Sequence, residues 1–500
     1  KEFNIINLQK NKLIPVYNYV DKVVGATRYE KGARFVITSY NDNIMEAYNF
    51  PKEFFLGQSQ LLGFGGKFSE PSETRASVKN FPGFRRGGET SPKAWNFPKD
   101  FLWVCPTSAH HVEGNNKNDW TEWELQNAEL QMLNAKKQKW PNFILERYPS
   151  PLEEANYISG KACDHHNRFS EDFDIAKSLG HNAHRFSIEW SRIEPEEGKF
   201  DERAIEHYRD VVKALRERGL EPFVTLWHWT IPLWLRDKGG VECKEFPMYF
   251  SRLTEFVIKN LSNEIKFWIT LNEPDIYAMN AYLRGIWPPQ KKSLFKFLKV
   301  LKNLAEAHKI AYSNVLKNLR IDTNIGIAKN NVYFTGWPYT VLNYFWNEWF
   351  LNNIKNHQDF IGLNYYFHNN TKGFKLNQNE NKKLNDMGWG VYPEGIYHIL
   401  KNIQKKYDKP IYITENGLAD SRDINRGEFI KDTLNWVAKA ITEGVDARGY
   451  FHWSLLDNFE WDKGFWPRFG LVEVDYKTME RKIRPSALEF KKIIENGLDA

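Results

Sequence analysis

The sequence predicts an α/β fold, a (β/α)8 TIM barrel with an additional N-terminal segment, on two observations. Eight short apolar runs follow one another along the chain, and stretches of helical period lie between them, as in a parallel sheet whose crossovers are helices. Spread over about 400 residues, eight such units suit a closed barrel with long insertions. The strand runs are FLWVCPT (101–107), AHRFSIEW (183–190), PFVTLW (222–227), KFWITL (266–271), NIGIA (324–328), FIGLNYY (360–366), IYITE (411–415) and RGYFHW (448–453). Helical stretches include 168–179, 202–218, 245–260, 296–318 and 425–443, and EFKKIIENG closes the chain.

Composition fits this fold. With 42% hydrophobic and 15% aromatic residues, 500 residues can bury a large core, and a disordered chain is excluded. The 19 Trp and 23 Tyr exceed what packing alone calls for, and flat rings with a polar edge suit surfaces that stack on sugars or bases. Cys105, Cys163 and Cys243 are few, far apart and without metal-ligand spacing, which favours a reducing compartment over a disulfide framework. No apolar run reaches membrane-spanning length and no signal-peptide core is visible, so the expected location is cytoplasmic, although a start at Lys1 leaves room for a removed leader.

The net charge of +6 is unevenly placed. Residues 1–95 hold 14 Lys and Arg against 9 Asp and Glu, which leaves 55 against 54 for the rest. Within this basic segment, GFGGKFSEPSETRASVKNFPGFRRGGETSP (63–92) reads as a glycine-, proline- and serine-rich loop. The chain therefore divides near Lys93 into a basic, loop-rich extension (1–94) and a barrel domain (95–500).

In a barrel the C-terminal strand ends converge on one concavity. Here they carry Arg185 and Glu189-Trp190 (strand two), His228-Trp229 (three), Asn272-Glu273 (four), Asn364-Tyr365-Tyr366 (six), Glu415-Asn416 (seven) and Trp453 (eight). One polar strand end is ordinarily a satisfied hydrogen bond. The set together suits a neutral polyol, because rings stack on the apolar face of a pyranose while amides and carboxylates grip its hydroxyls. Breaking a glycosidic bond needs one group to protonate the leaving oxygen and another to support positive charge at the anomeric carbon. Glu273 and Glu415, on opposite sides of the barrel mouth, suffice. No cluster has transition-metal spacing and no glycine-rich phosphate loop precedes a helix, so no metal or cofactor is called for.

ITLNEP (269–274), YITENGL (412–418), RFSIEWSRI (185–193), DFIGLNYY (359–366) and HWSLLDNFEW (452–461), followed by RFGLVEVDY (468–476), together resemble the family 1 glycoside hydrolases, retaining β-glycosidases on a (β/α)8 barrel. The resemblance covers about residues 95–496. It implies that Glu273 is the general acid/base and Glu415 the nucleophile, that Asn272 grips the sugar 2-hydroxyl, and that Arg185 and Tyr366 stabilise the Glu415 anion, holding its pKa low while that of Glu273 is raised. His228, Trp229 and Asn364 match sugar-contacting positions, Trp453 the platform under the glycone, and Glu460 with Trp461 the pair that holds the far hydroxyls. An anionic Glu460 implies a non-phosphorylated sugar, since relatives acting on 6-phosphorylated sugars carry small and basic groups there. An acid at position 273 points away from the thioglucosidase branch. The implied ligand is a small β-glycoside or short oligosaccharide.

Two departures stand out. His111 occupies the position where the family has a glutamine on the 3- and 4-hydroxyls; its ring should reach Trp453 and Glu460, with a pKa moved upward by the carboxylate. Val104, Cys105 and Pro106 replace glycine and small residues, so the first strand should be distorted. YNFPKEFFLGQSQ (48–60) nearly repeats WNFPKDFLWVCPTSA (95–109), as a common Phe-Pro-Lys turn or a duplicated start; the downstream copy, leading to Glu113-Gly114 and Asp119-Trp120 in family-like order, is assigned to the barrel. The alternative to an active enzyme is a catalytically weakened member serving as a structural or interaction protein, its basic extension docking on an acidic partner or forming an oligomer contact. Nucleic-acid binding rests on the extension's charge alone, and exposed Lys and Arg are usually a solvated face.

Overall fold

The computed structural model describes Phe97 to Leu498 apart from 316–321 and residues 374, 377, 378 and 380–382, together with four short strands near the N-terminus. The chain forms two compact units: 1–66 with 334–345 and 369–380, and 67–333 with 346–368 and 381–500. In the first, Phe3–Asn7 pairs antiparallel with Lys12–Val16, and Gly25–Tyr29 with Gly32–Val36. These four strands fall within the extension read as loop-rich. The run 63–92, the boundary near Lys93 and the upstream near-repeat lie outside the described residues.

The second unit is built on a closed barrel. Its strands are β1 (Leu102–Val104), β2 (Ala183–Ser187), β3 (Glu221–Trp227), β4 (Phe267–Asn272), β5 (Asn324–Trp337), β6 (Ile361–Lys372), β7 (Ile411–Asn416) and β8 (Ala447–His452), each beside its sequence neighbours, with β8 closing on β1. The expected distortion of the first strand is present. β1 keeps three residues, ends before Cys105 and Pro106, and meets β2 only at Val104 and Ala183; a proline cannot donate to the ladder. Conversely, β5 and β6 run well beyond the short apolar runs that marked them.

The crossover helices follow the apolar periodicity closely: His165–Ser178, Glu202–Glu217, Phe246–Leu261, Leu294–Ile310, Arg426–Thr442 and Pro485–Asn496. Among the described residues, two helices of more than ten residues add to those read from sequence. Gly395–Tyr407 buries Ile396, Ile399, Leu400 and Ile403 on one face. Asp119–Ala135 has little amphipathic pattern but starts at a reciprocal cap, Asn118 accepting from the Thr121 N–H and Thr121 from that of Asn118. Among the described residues no helix is long and apolar enough to cross a membrane.

One layer of the barrel fixes the floor of the mouth: Val104, Ala183, Phe223, Ile269, Ala328, Phe360, Tyr412 and Phe451, all buried. Phe223 meets Phe451 edge-on at 5.0 Å and Tyr412 at 5.4 Å, and Phe360 meets Tyr412 at 5.2 Å. Small residues opposite large ones let this aromatic plug close. A Cβ on Gly326 would stand 2.7 Å from the Phe360 ring, so the glycine is what admits that ring. Two residues further along several strands, on the same face, lie Arg185, Thr225 and Thr414.

The segment after β8 is tied to the C-terminal helix by a buried charge cluster. Arg484, just before Pro485–Asn496, makes two 2.8 Å bonds to the two Asp457 oxygens; the Gly470 N–H adds a third at 3.0 Å. Burial pushes the Asp457 carboxyl up, but Arg484, Arg468 and Arg426 more than offset it, leaving it below the ordinary aspartate value. A carboxyl depressed in the fold contributes stability above its unfolded pKa, and that contribution is lost as pH falls through the folded value. Asp457→Ala strands buried guanidinium groups and should cost about 3–5 kcal/mol in denaturant unfolding at pH 7, with a smaller difference from wild type in acid; an equal difference at both pH values would contradict the assignment.

Candidate active site

Arg185 joins the strand ends above the aromatic floor. A guanidinium can only donate, and its nitrogens find acceptors on three other strands: Nε on Thr225 Oγ1 (3.1 Å) of β3, Nη1 on Glu415 Oε1 (2.6 Å) and the Thr414 carbonyl (3.0 Å) of β7, and Nη2 on Asn272 Oδ1 (2.5 Å) of β4. With its oxygen fixed by arginine, Asn272 turns its N–H to His228 Nε2 (3.1 Å). That ring nitrogen is then the acceptor, so neutral His228 carries its proton on Nδ1. Nδ1 is buried without a hydrogen-bond partner. Burial first, then His111 and Arg185, holds His228 far below the ordinary histidine value.

The two carboxyls are held differently. Glu415 Oε1 accepts from Arg185 and Oε2 from the Tyr366 hydroxyl (3.0 Å). Behind it, a Cβ on Gly417 would lie 2.1 Å from the Trp453 carbonyl oxygen; the glycine of TENG lets the end of β8 approach. Glu273 has only amides: its Oε1 accepts from Asn364 Nδ2 (2.9 Å) and Asn330 Nδ2 (3.0 Å). Its backbone is left-handed, φ 41°, between the end of β4 and Pro274, which opens the helix Pro274–Ala278. Such a backbone costs an L-residue about 1–2 kcal/mol, and the bond from the Glu273 N–H to the Ala328 carbonyl (2.8 Å) holds it.

Burial, then the neighbouring Glu415, raises the Glu273 carboxyl to about 8 against the opposing amides. Glu415 is raised too, by burial, with Arg185, Tyr366 and Asn364 opposing. The depressed value expected for Glu415 is thus corrected: burial outweighs its donors. Among the described residues the only cation touching either carboxyl touches Glu415, so the negative charge of the pair belongs there and the proton on Glu273.

Rings line the remaining wall. Trp461 lies 4.7 Å from Trp229 and 4.5 Å from His111, whose ring is 5.1 Å from Trp453. Trp229 and Trp461 both have positive φ, 79° and 50°, so three residues of the site share this strained backbone. Trp229 is anchored by Nε1 on the Asn272 carbonyl (2.7 Å). His111 does reach the Trp453 and Glu460 end, with Nε2 4.0 Å from Glu460 Oε2, too far for a hydrogen bond. Its Nδ1 bonds Ser108 Oγ, and Nε2 is buried without a partner. The expected upward pKa is reversed: burial, His110 and Arg185 hold His111 well below the histidine value. Glu460, which accepts from Asn458 Nδ2 (3.1 Å), is raised by burial to about 8. Near neutrality Glu460 therefore carries less charge than the anion expected from the sequence.

All twelve residues singled out in sequence lie in this one unit, at the mouth formed by the strand ends. Asn364, expected to touch sugar, bonds Glu273 here. Several contributors were not singled out. Asn330 follows the run NIGIA, where Lys329-Asn330-Asn331 gave the same signal, polar residues directly after an apolar run, as the other strand ends. Thr414 donates to Asn364 Oδ1 (2.7 Å), and His110 stacks on Trp461 at 5.4 Å while bonding Glu124 (2.7 Å). Thr414 lies in the quoted YITENGL beside Glu415, whereas nothing local in sequence marks His110. Among the described residues no group of three or more His, Cys, Asp or Glu could hold a metal ion.

Residues 93–339 and 343–498 match the model of glycosyl hydrolase family 1. The chain is 33% identical over 460 residues to Beta-glucosidase A of Thermotoga maritima, spanning 80% of this chain and 98% of that protein. The beta-glycosidase from Pyrococcus horikoshii shares the structure with a TM-score of 0.71 and 38% identity, over 81% of this chain and 96% of that one. The beta-glucosidase of Thermotoga maritima in complex with deoxynojirimycin does so with a TM-score of 0.68 and 30% identity, over 80% and 99%. With the family model matched along the barrel and relatives covered almost end to end, this chain belongs to glycosyl hydrolase family 1 and is a glycosidase.

Proposed function

We propose that the protein hydrolyses non-phosphorylated β-glucosides and related β-glycosides with retention, Glu415 acting as nucleophile and Glu273 as general acid/base. The observation that carries this reading is the unequal solvation of two buried carboxyls: one bonded to an arginine and a tyrosine, the other to amides alone. In the first step the Glu415 carboxylate attacks the anomeric carbon while Glu273 passes its proton to the departing oxygen. In the second, Glu273, now a carboxylate, takes a proton from water that attacks the glycosyl ester and releases Glu415. The unpartnered Nδ1–H of His228 and Nε2 of His111, both buried beside Trp453 and Trp461, fit sugar hydroxyls. The relatives, a beta-glucosidase and a beta-glycosidase, support a β-linked glycoside as the substrate. The weakened, interaction-only alternative gains nothing from the described residues, because neither the short β1 nor His111 disturbs the bonds of the two glutamates.

Glu415→Gly should lose turnover of every β-glycoside and regain part of it with azide, yielding the α-glycosyl azide; a β product would contradict the nucleophile. Glu273→Ala should spare aryl glycosides whose leaving groups need no proton, and equal loss on good and poor leaving groups would refute the acid. Since Glu273 must be protonated to act first, kcat/KM on a poor leaving group should fall as pH rises through about 8; a limb in the ordinary carboxylate range would exclude it. His111→Gln should raise kcat/KM on β-glucosides or β-galactosides, by about tenfold if one hydrogen bond to the glycone is improved. Because His111 is neutral throughout, the pH dependence of binding near neutrality should be unaltered; unchanged kcat/KM would make His111 a packing residue.

A further inference from the structure

Beneath Glu273 lies a buried ion pair with no role in the reaction just described. Lys329, the sixth residue of β5, is fully buried, and its Nζ donates to Asp275 Oδ2 (3.0 Å), to the Trp346 carbonyl (2.7 Å) and to the carbonyl of Asn330. The ammonium thus clamps three pieces of chain: the turn after Glu273, its own strand β5 at mid-length, and the segment carrying Trp346. The indole Nε1 of Trp346 in turn donates to Asn330 Oδ1 (3.3 Å). An indole N–H has no acceptor character, so it decides which way the Asn330 amide faces. The oxygen goes to Trp346, and the N–H meets Glu273 Oε1 at 3.0 Å.

We propose that Lys329 and Trp346 are positioning residues for the acid/base, acting through Asn330 so that an amide N–H, and never its oxygen, bonds the Glu273 carboxyl. This rests on the reading of Glu273 given above. A donor on the carboxyl favours its charged form, whereas a flipped amide would present oxygen to oxygen and drive the proton onto Glu273. The clamp therefore restrains a carboxyl that burial and Glu415 already push upward, keeping it acidic enough to release its proton. The charged and titratable groups facing Glu273 are Glu415 of β7, Asp275 of its own helix, Lys329 of β5 and Tyr366 of β6, with Arg185 of β2 acting through Glu415.

The test follows the Glu273 carboxyl itself, by carbon-13 NMR of glutamate-labelled protein, with its resonance assigned by Glu273→Gln. Three variants are compared with wild type: Trp346→Phe, Asn330→Leu, and Lys329→Met with Asp275→Asn, the last removing both charges together so that no lone charge is left buried. Each should raise the Glu273 midpoint, Asn330→Leu by about one pH unit, and the basic limb of kcat/KM should follow it. In the Asn330→Leu background Trp346→Phe should move the midpoint no further. An unmoved midpoint in Trp346→Phe or in the paired variant overturns the proposal, even where thermal stability falls, as does a Trp346→Phe shift that persists without Asn330. A wild type with no glycosidase activity would instead sink the functional reading, and the NMR titration would still decide this one.

Discussion

The charge of Arg185 is the constraint on which the site depends. A buried guanidinium is tolerable only when its donors are met, and this one meets them on β3, β4 and β7 from its place on β2. In doing so it makes Glu415 the carboxyl that bears the negative charge, sets the Asn272 amide, and through that amide fixes the tautomer of His228. One cation thereby assigns the donor and acceptor roles of several neighbours, before any sugar is present.

The polar layer needs a rigid base. The eight-residue aromatic and aliphatic layer fills the barrel beneath it, so Arg185, Thr225 and Thr414 cannot sink or tilt. Above that base the strands stop alternating regularly. Register shifts fall between Ile269 and Asn272, between Leu363 and Asn364, and between Ile413 and Asn416. A strand that kept period two would turn one of any two successive residues away from the mouth. The irregular ends let Asn272 with Glu273, and Thr414 with Glu415, both take part.

Strain and burial are concentrated in the same place. Glu273, Trp229 and Trp461 have left-handed backbones, and Glu273 and Glu460 have carboxyls raised to about 8. Neither would persist in an exposed loop, where the backbone relaxes and water restores the ordinary ionisation. Here the Ala328 carbonyl holds the Glu273 backbone, the Asn272 carbonyl holds the Trp229 ring, and Asn458 holds Glu460. Preorganised polar groups in a water-poor pocket suit the stabilisation of charge that develops only during reaction.

The sequence by itself determined the architecture and the membership of the site. Apolar runs alternating with helical period call for a parallel sheet, eight such units suit a closed barrel, and a barrel brings its strand ends together, so Asn-Glu-Pro and Thr-Glu-Asn were expected to share one mouth. Asn330 was legible by the same rule, as a polar residue after an apolar run. Tertiary structure decided the protonation states and the hydrogen-bond partners. His111 stands near a carboxylate, which suggests a charged ring; but it is fully buried, 4.0 Å from Glu460 and within the field of Arg185, so it is neutral. Glu415 has the expected donors, yet burial outweighs them. Sequence neighbours supply identity and period, whereas a pKa depends on how many solvent molecules the whole fold removes and which distant charges replace them.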